Sequence, residues 1–221
     1  MEQASVKAYK GIGMEGWIAK WYAANTGKNL EDFRALARRV AEKLAPGSAV
    51  LELAPGPGYF AIELAKLSSY QITGLDISKA FVEIARRNAQ QAKVTVDFRR
   101  GDASHTPFAD ETFDFILCRA AFKNFSEPLL AVREMYRILK KGGHAIIIDL
   151  RRDASQKSIN ELVDKMGLSW GSTIFTKLTF RVMLLKRAYT RSEFEKFVSE
   201  TDFHHADIQE SQTGFEIRLQ K

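Results

Sequence analysis

Short apolar runs alternate with helical patterns through the middle of the chain, and this rhythm restricts the fold more than any other feature. Strands that alternate with helices form a parallel sheet with helices on both faces. The sequence therefore predicts an α/β fold. The strands predicted in this part of the chain are 49–53, 71–75, 94–99, 113–118 and 145–150. The helices predicted between them are 59–67, 79–91 and 128–139.

The end of the chain departs from this rhythm. A helix is predicted over 192–201, followed by two strands, 206–210 and 215–219, with a turn at 212–214 between them. Strands joined by so tight a turn are antiparallel. The sequence thus predicts a seven-stranded, mostly parallel sheet that ends in an antiparallel hairpin.

Two helical segments lie outside the alternating pattern. Residues 12–45 are predicted to form two helices, the second with Asn29 as its N-cap. Residues 153–187 are helical in tendency and rich in bulky apolar side chains. We expect both segments to form a lid over the carboxyl edge of the sheet, where a ligand-covering element would have to come from.

The chain of 221 residues is short enough for one domain with embellishments. We expect a single domain over 1–221, with a core at 46–152, the lid insertion at 153–187 and a C-terminal helix and hairpin at 188–221.

Composition excludes several classes of protein. A single cysteine, Cys118, rules out a disulfide framework, and four scattered histidines give no zinc motif, so no metal is expected. The apolar runs are shorter than the roughly 20 residues that span a bilayer, and the N-terminus lacks an apolar signal core, so we expect a cytoplasmic protein with no transmembrane segment.

The net charge of +6 suits an anionic ligand, nucleic acid or a membrane surface. The cations are spread along the chain without a tract of five, which favours an ordinary solvated surface.

The turn after the first strand has the composition of a ligand-binding loop. Glu52 precedes Ala54-Pro-Gly56-Pro-Gly58, and the two glycines leave room for a ligand to approach the backbone at the carboxyl edge. The helix from Tyr59 presents its N-terminus there. The same residues, through Ala61, also fit the G-x-G-x-x-A dinucleotide pattern, and a tight turn without a ligand is a further alternative.

Two more acidic residues follow the next two strands. Asp76 ends the second strand, where a carboxylate can accept hydrogen bonds from both hydroxyls of a ribose. Its alternative role is to cap helix 79–91, for which Ser78 is better placed. Asp102 follows the third strand, where it could accept a bond from an exocyclic adenine amine or belong to a plain surface turn.

Together these loops resemble the class I S-adenosylmethionine-dependent methyltransferases, which have a Rossmann-like fold. Their first motif is an acidic residue followed by G-x-G-x-G, and here Ala54 replaces the first glycine. Asp114 and the stretch 139–143 match the family's fourth-strand acid and its turn before strand five. The resemblance implies S-adenosyl-L-methionine as cofactor. The contacts it implies are Tyr22, Glu52, Ala54, Gly56, Gly58, Asp76, Ile77, Asp102, Ala103 and Arg119.

Within this family the stretches 121–125 and 130–139 are similar to those of the ubiquinone and menaquinone C-methyltransferases. The similarity implies a small-molecule methyl acceptor, held in a water-excluding pocket for in-line methyl transfer. No catalytic residue is identified, and the oligomeric state is unknown. The predicted substrate contacts are Trp17, Phe122, Lys123, Asn124, Trp170 and Phe175.

Three alternatives remain open. A methyltransferase acting on RNA or protein is disfavoured because 118–121 lacks the N/D/S-P-P-aromatic tetrad of nucleic-acid amino methyltransferases, and no basic stripe is present, so no nucleic-acid partner is expected. An NAD(P)-dependent oxidoreductase would leave Asp102 and the terminal hairpin unexplained. A binding module without turnover would use the same residues.

Overall fold

Seven strands form one sheet in the order β3-β2-β1-β4-β5-β7-β6. In this computed structural model the first five strands run parallel, and β7 runs antiparallel to both β5 and β6. The predicted fold class is confirmed. The strands are β1 Ala49–Leu53, β2 Gln71–Asp76, β3 Asp97–Arg100, β4 Phe113–Arg119, β5 Leu139–Leu150, β6 Ala206–Glu210 and β7 Gly214–Gln220.

The structure describes residues 9–10, 14–27, 30–164, 170–203 and 206–221, without the side chains of Trp17, Asn25 and Phe175. Asn29, the predicted N-cap, lies outside the described residues, as does the pair His204-His205. The helices are α1 Gly16–Thr26, α2 Leu30–Ala41, α3 Tyr59–Ala65, α4 Lys79–Ala92, α5 Pro128–Ile138, α6 Gln156–Asp164, α7 Trp170–Thr179, α8 Leu185–Arg187 and α9 Arg191–Ser199.

Apolar side chains cover both faces of the sheet because successive strand residues point to opposite sides. Val50 and Leu117 face the core shared with α2, α3 and α4. Leu51 and Cys118 face the core shared with α5 and α9. The central strands are consequently buried on both sides, as a parallel sheet requires.

The N-terminal helix α1 packs on α4 through a small apolar cluster. Ala19 and Ala23 contact Phe81 and Ile84, and the Tyr22 ring meets the Phe81 ring edge-on, with 5.7 Å between centroids. The insertion after β5 consists of α6, α7, a π-helical turn at Phe180–Leu184 and α8. Among the described residues, no helix combines the length and apolar character needed to cross a bilayer.

The largest local difference from the prediction concerns residues 139–143. The sequence predicts a turn after a helix that reaches Leu139, but α5 ends at Ile138 and β5 begins at once. The pairing shifts from Phe113 with Leu139 to Phe115 with His144, so the extra residues bulge from the strand. Asp114 explains the bulge, since its carboxylate accepts hydrogen bonds from the Lys140 ammonium and from the Ala49 amide, both at 2.8 Å.

Candidate functional site

The candidate site lies at the edge where the five parallel strands end. Because β3, β2, β1, β4 and β5 are neighbours in this order, the loops that follow them meet along one rim. The predicted acidic positions lie at or just after the carboxyl ends of three adjacent strands of this rim. Glu52 lies in β1, Asp76 ends β2, and Asp102 follows β3.

Asp76 is the best-fixed carboxylate of the rim. It is buried, and one oxygen accepts a hydrogen bond from the Gly56 amide at 3.0 Å while the other accepts from the Ser78 amide at 2.9 Å. Burial raises the pKa of Asp76 to about 6, against the lowering effect of both amides. Ser78 caps α4 as predicted, with its hydroxyl accepting from the Phe81 amide. Asp76 is therefore not the cap, and its carboxylate has a fixed orientation at the rim.

The loop between β1 and α3 leaves space beside Asp76. Gly56 has a φ of +55°, and a Cβ built there would meet no atom within 4 Å. Gly58 also has a left-handed backbone, at φ +79°, but a Cβ there would lie 2.6 Å from the Phe98 ring. The two glycines therefore have different roles. Gly56 borders open space at the rim, whereas Gly58 allows α3 to approach the sheet.

Glu52 faces the start of α3 from inside the protein. Its carboxylate accepts a hydrogen bond from the Ala61 amide at 3.1 Å. The pKa of Glu52 is raised to about 8, mainly by burial; the Ala61 amide and Arg119 lower it, and the nearby Asp76 charge contributes to the rise. The Arg119 guanidinium stacks 4.3 Å from the centroid of the Phe33 ring. Glu52 therefore lies within electrostatic range of both Asp76 and Arg119.

The Asp102 loop is attached to the end of β2. The Gly101 amide donates to the Asp76 carbonyl at 3.0 Å. Asp102 is partly exposed, accepts from the Ser104 amide at 2.8 Å, and lies 3.9 Å from a ring nitrogen of His105. Next to it Ala103 is buried, and Ile77 in the preceding loop is half-buried.

Two alanines adopt the left-handed conformation where neighbouring strands end. Ala54 after β1 has a φ of +53°, and Ala120 after β4 has a φ of +58°. Each amide bonds to the adjacent strand, Ala54 to the Leu75 carbonyl and Ala120 to the Ile148 carbonyl. Such backbone costs about 1–2 kcal/mol for a residue other than glycine, and strain of this kind concentrates at functional sites.

The predicted substrate residues after β4 are engaged inside the protein. The Phe122 ring is fully buried among Phe125, Tyr189, Phe194 and Phe197. An acceptor could contact Phe122 only if this cluster opened.

Lys123 forms a buried ion pair with Asp149 at the end of β5. Its ammonium lies 2.8 Å from one Asp149 oxygen and also donates to the Ala120 carbonyl, while its amide donates to the other Asp149 oxygen. An anionic substrate would therefore have to break this pair. Asn124 is buried too, and within the described part of the chain its side-chain oxygen has no hydrogen-bond partner.

The remaining aromatic positions of the prediction lie in the helical segments. The Tyr22 ring is half-buried against α4. Trp170 is 82% exposed. The side chains of Trp17 and Phe175 lie outside the described residues.

Sequence reasoning missed Glu15, which joins the N-terminal segment to the rim. Its two carboxylate oxygens accept from the Lys79 and Ala80 amides at the start of α4, and the Ser78 hydroxyl donates to the Met14 carbonyl. An acidic side chain at a helix N-terminus is favourable. The only signal in the sequence was the acid itself, 64 residues before its partner.

Tyr9 and Lys10 were missed as well. The Lys10 amide donates to the Asn124 carbonyl at 2.7 Å, and its ammonium donates to the Tyr189 hydroxyl at 2.6 Å. The pKa of Tyr9 is raised to about 12, mainly by burial; Arg187 lowers it, and the charges of Asp76 and Asp149 contribute to the rise. Tyr9 is therefore close enough to the carboxylates after β2 and at the end of β5 for their charges to affect it.

The chemistry available at this rim is that of binding and alignment. Buried carboxylates, backbone amides and an open glycine position can hold a polar ligand with hydroxyl and ammonium groups. The aromatic side chains beside it can exclude water from a reacting centre.

Comparison with known proteins agrees with this geometry. A family model described as a methyltransferase domain matches residues 51–147. A demethylmenaquinone methyltransferase of Lactiplantibacillus plantarum is 30% identical over 178 residues, which cover 78% of this chain and 70% of that protein. Another from Deinococcus radiodurans is 34% identical over 107 residues, covering 48% of this chain, and the match spans only 44% of that relative's length.

A solved structure has the same fold over nearly the whole chain. It is a protein of Methanococcus maripaludis described as an S-adenosyl-L-methionine-dependent methyltransferase. The TM-score is 0.77 at 24% identity, over 96% of this chain and 95% of that one. At this identity the likeness concerns the fold.

Proposed function

The chain belongs to the class I S-adenosylmethionine-dependent methyltransferases, and from this premise we propose that it methylates a quinone-type small molecule in its reduced form. The relatives named above act on demethylmenaquinone. A quinone ring has a nucleophilic carbon only after reduction, so the quinol is the reacting form.

S-adenosylmethionine is the cofactor of this family, and the rim fits it. The observation that carries the proposal is the fixed Asp76 carboxylate beside the open space at Gly56. We assign Asp76 to the ribose hydroxyls. Ile77, Asp102 and Ala103 would contact the adenine.

The methionine end would lie toward β1. We assign Tyr22, Glu52, Ala54, Gly56 and Arg119 to this part of the cofactor, with Gly58 shaping the loop. The buried Glu52 carboxyl has a pKa of about 8. A cationic ammonium bound nearby would lower this pKa and favour the ionised carboxylate.

The protein's contribution to the reaction is alignment. The cofactor supplies an activated methyl group on a sulfonium. The pair of Lys123 and Asp149 holds the loop after β4 against the end of β5, and the unpartnered Asn124 oxygen could accept a hydrogen bond from an acceptor hydroxyl. Trp17, Phe122, Lys123, Trp170 and Phe175 stay predicted acceptor contacts, which require rearrangement where the side chain is buried.

The lid role of the two helical segments, the single-domain organisation and the cytoplasmic location also stay predictions. Limited proteolysis with and without S-adenosylhomocysteine tests the first two, and cell fractionation tests the third.

Two measurements test the proposed function. S-adenosylhomocysteine should raise the melting temperature, whereas NAD and NADP should not. Radiolabelled methyl donor should then label a reduced short-chain naphthoquinone in preference to phenols, amines, thiols and RNA. Equal stabilisation by NAD would favour an oxidoreductase, and label found in RNA or in none of the acceptors would contradict the quinol assignment.

A further inference from the structure

The helical segment after the candidate site turns four large apolar side chains toward solvent. Trp170 is 82% exposed, Ile174 50%, Leu178 56% and Val182 47%. They recur every four residues and so follow one side of the helix. We name these four residues the apolar stripe. In the part of the chain that the structure describes, they are four of the six large apolar side chains that are clearly exposed.

The excess positive charge of the protein is concentrated in the same segment. Between Asp164 and Glu193 the sequence contains no acidic residue. The other 27 cations balance the 27 acidic residues, so the net charge of +6 arises from the lack of acidic residues in this segment. The cations of this segment are Lys165, Lys177, Arg181, Lys186, Arg187 and Arg191. Lys177 is paired with Asp164, and Arg191 is paired with Glu195 and Glu210. The relevant cations are therefore Arg181, Lys186 and Arg187.

The whole insertion that contains this segment begins and ends at the rim of the site. It starts after Leu150, the carboxyl end of β5, and ends at the buried Ala188 and Tyr189. Arg151 forms a parallel bridge with Tyr189, whose ring packs on Phe122. The apolar stripe therefore belongs to the element that borders the acceptor side of the rim.

We propose that the apolar stripe and its neighbouring cations dock the protein on the surface of an anionic lipid bilayer. An amphipathic helix with a tryptophan and aliphatic side chains on one face, flanked by Lys and Arg, lies in the interface with its apolar side among the acyl chains. Each cation near an anionic surface adds attraction.

Other occupants fit these observations less well. A second copy of the chain would bring the same cations against the stripe, and like charges repel. A nucleic acid would be attracted by the cations but would leave four apolar side chains against phosphates. A lipid surface satisfies both features. The biological reason for such docking rests on the proposed function, because a quinol acceptor with an isoprenoid tail resides in the bilayer.

Vesicle sedimentation of the full chain tests the proposal. The chain should bind vesicles of phosphatidylglycerol and phosphatidylcholine, and bind pure phosphatidylcholine much more weakly. The double variant Ile174→Ser/Leu178→Ser should lower the partition coefficient about tenfold or more. The control is Leu67→Ser, which removes a similarly exposed apolar side chain just after α3 and should change nothing.

A charge variant tests the second feature. Arg181→Gln/Lys186→Gln should weaken binding to the anionic vesicles about fivefold per cation, and more at low salt than at high salt. Lys43→Gln/Lys141→Gln removes two exposed cations elsewhere and serves as the control.

Several results would overturn the proposal. These are no vesicle binding by the unaltered chain, equal binding to neutral vesicles, or self-association in solution that Ile174→Ser/Leu178→Ser abolishes without any vesicle binding. Methyl transfer to a short-chain naphthoquinol in vesicle-free buffer separates the two hypotheses. If it succeeds while vesicle binding fails, only the docking is wrong, and if it fails while binding holds, only the proposed function is wrong.

Discussion

The two halves of the rim are built by different means. In the β1–β3 half, buried carboxylates are held by backbone amides of neighbouring loops, as Asp76 is by Gly56 and Ser78. In the β4–β5 half, the loop is held by a buried ion pair between Lys123 and Asp149 and by aromatic rings from distant parts of the chain. The first half therefore offers a ligand hydrogen-bond acceptors in fixed positions. In the second half, the charges of Lys123 and Asp149 neutralise each other.

This difference assigns separate roles to the two halves. Carboxylates held by amides keep lone pairs for a ligand, so the β1–β3 half suits the cofactor. A buried ion pair whose charges are already neutralised fixes the conformation of the loop but contributes little affinity for a ligand. The β4–β5 half therefore suits the alignment of an apolar methyl acceptor.

The largest effect is expected from breaking the ion pair. Asp149→Ala should lower the free energy of unfolding by about 3–5 kcal/mol, because it leaves the Lys123 ammonium buried without its partner. Urea denaturation measures this. The double variant Lys123→Met/Asp149→Leu removes both charges and should recover most of the loss. A single variant as stable as the unaltered protein would show that the β4–β5 half does not depend on this pair.

In the β1–β3 half the main effect should be on binding. Asp76→Ala should weaken S-adenosylhomocysteine binding by about 1–3 kcal/mol, the scale for losing a charged hydrogen-bond acceptor. Calorimetry measures the affinity. Asp97→Ala removes an exposed carboxylate from β3 and is the control. Unchanged affinity of the Asp76 variant would remove this carboxylate from the site and with it the distinction between the halves.

Glu52 gives the β1–β3 half a characteristic pH dependence. Its pKa of about 8 lies above the ordinary value of 4.5, so between these values the folded protein holds a proton that the unfolded chain releases. Stability must therefore fall as pH rises through this window, by up to about 1.4 kcal/mol per pH unit. Asp76 acts in the same direction between pH 3.8 and about 6.

Glu52→Gln, which mimics the protonated form, should flatten the slope above pH 6. Melting temperatures measured from pH 5 to 9 test this, and the same slope in both proteins would show that Glu52 titrates normally.

The sequence predicted the elements whose signals are local. The predicted boundaries of β1 and β6 match the structure, and the spacing of Glu52, Asp76 and Asp102 placed three acids on one rim because parallel strands end at the same edge. The sequence showed that Ala54 replaces the first glycine of the family pattern, but not that this alanine keeps the left-handed backbone that glycine favours.

Contacts between distant residues were beyond prediction. Lys123 was predicted as a substrate contact, and nothing in the sequence showed that the fold places Asp149 beside it, 26 residues away. Lys10 meets Tyr189 across 179 residues. A pattern in one sequence contains no information on such pairs, and these pairs determine the β4–β5 half of the rim.

The smallest effect is expected from a hydrogen bond that attaches helix α1 to the β1–β3 half of the rim. The Tyr59 hydroxyl, at the start of α3, donates to the Ala23 carbonyl of α1 at 2.9 Å. Tyr59→Phe should cost about 1 kcal/mol of stability, the net value of one hydrogen bond. If α1 covers the cofactor, the variant should also weaken S-adenosylhomocysteine binding. Tyr70→Phe removes a bond of 3.5 Å to the Ala41 carbonyl and should change neither quantity, because a bond of that length is weak. Lost stability with unchanged affinity would mean that α1 packs on α4 without covering the ligand.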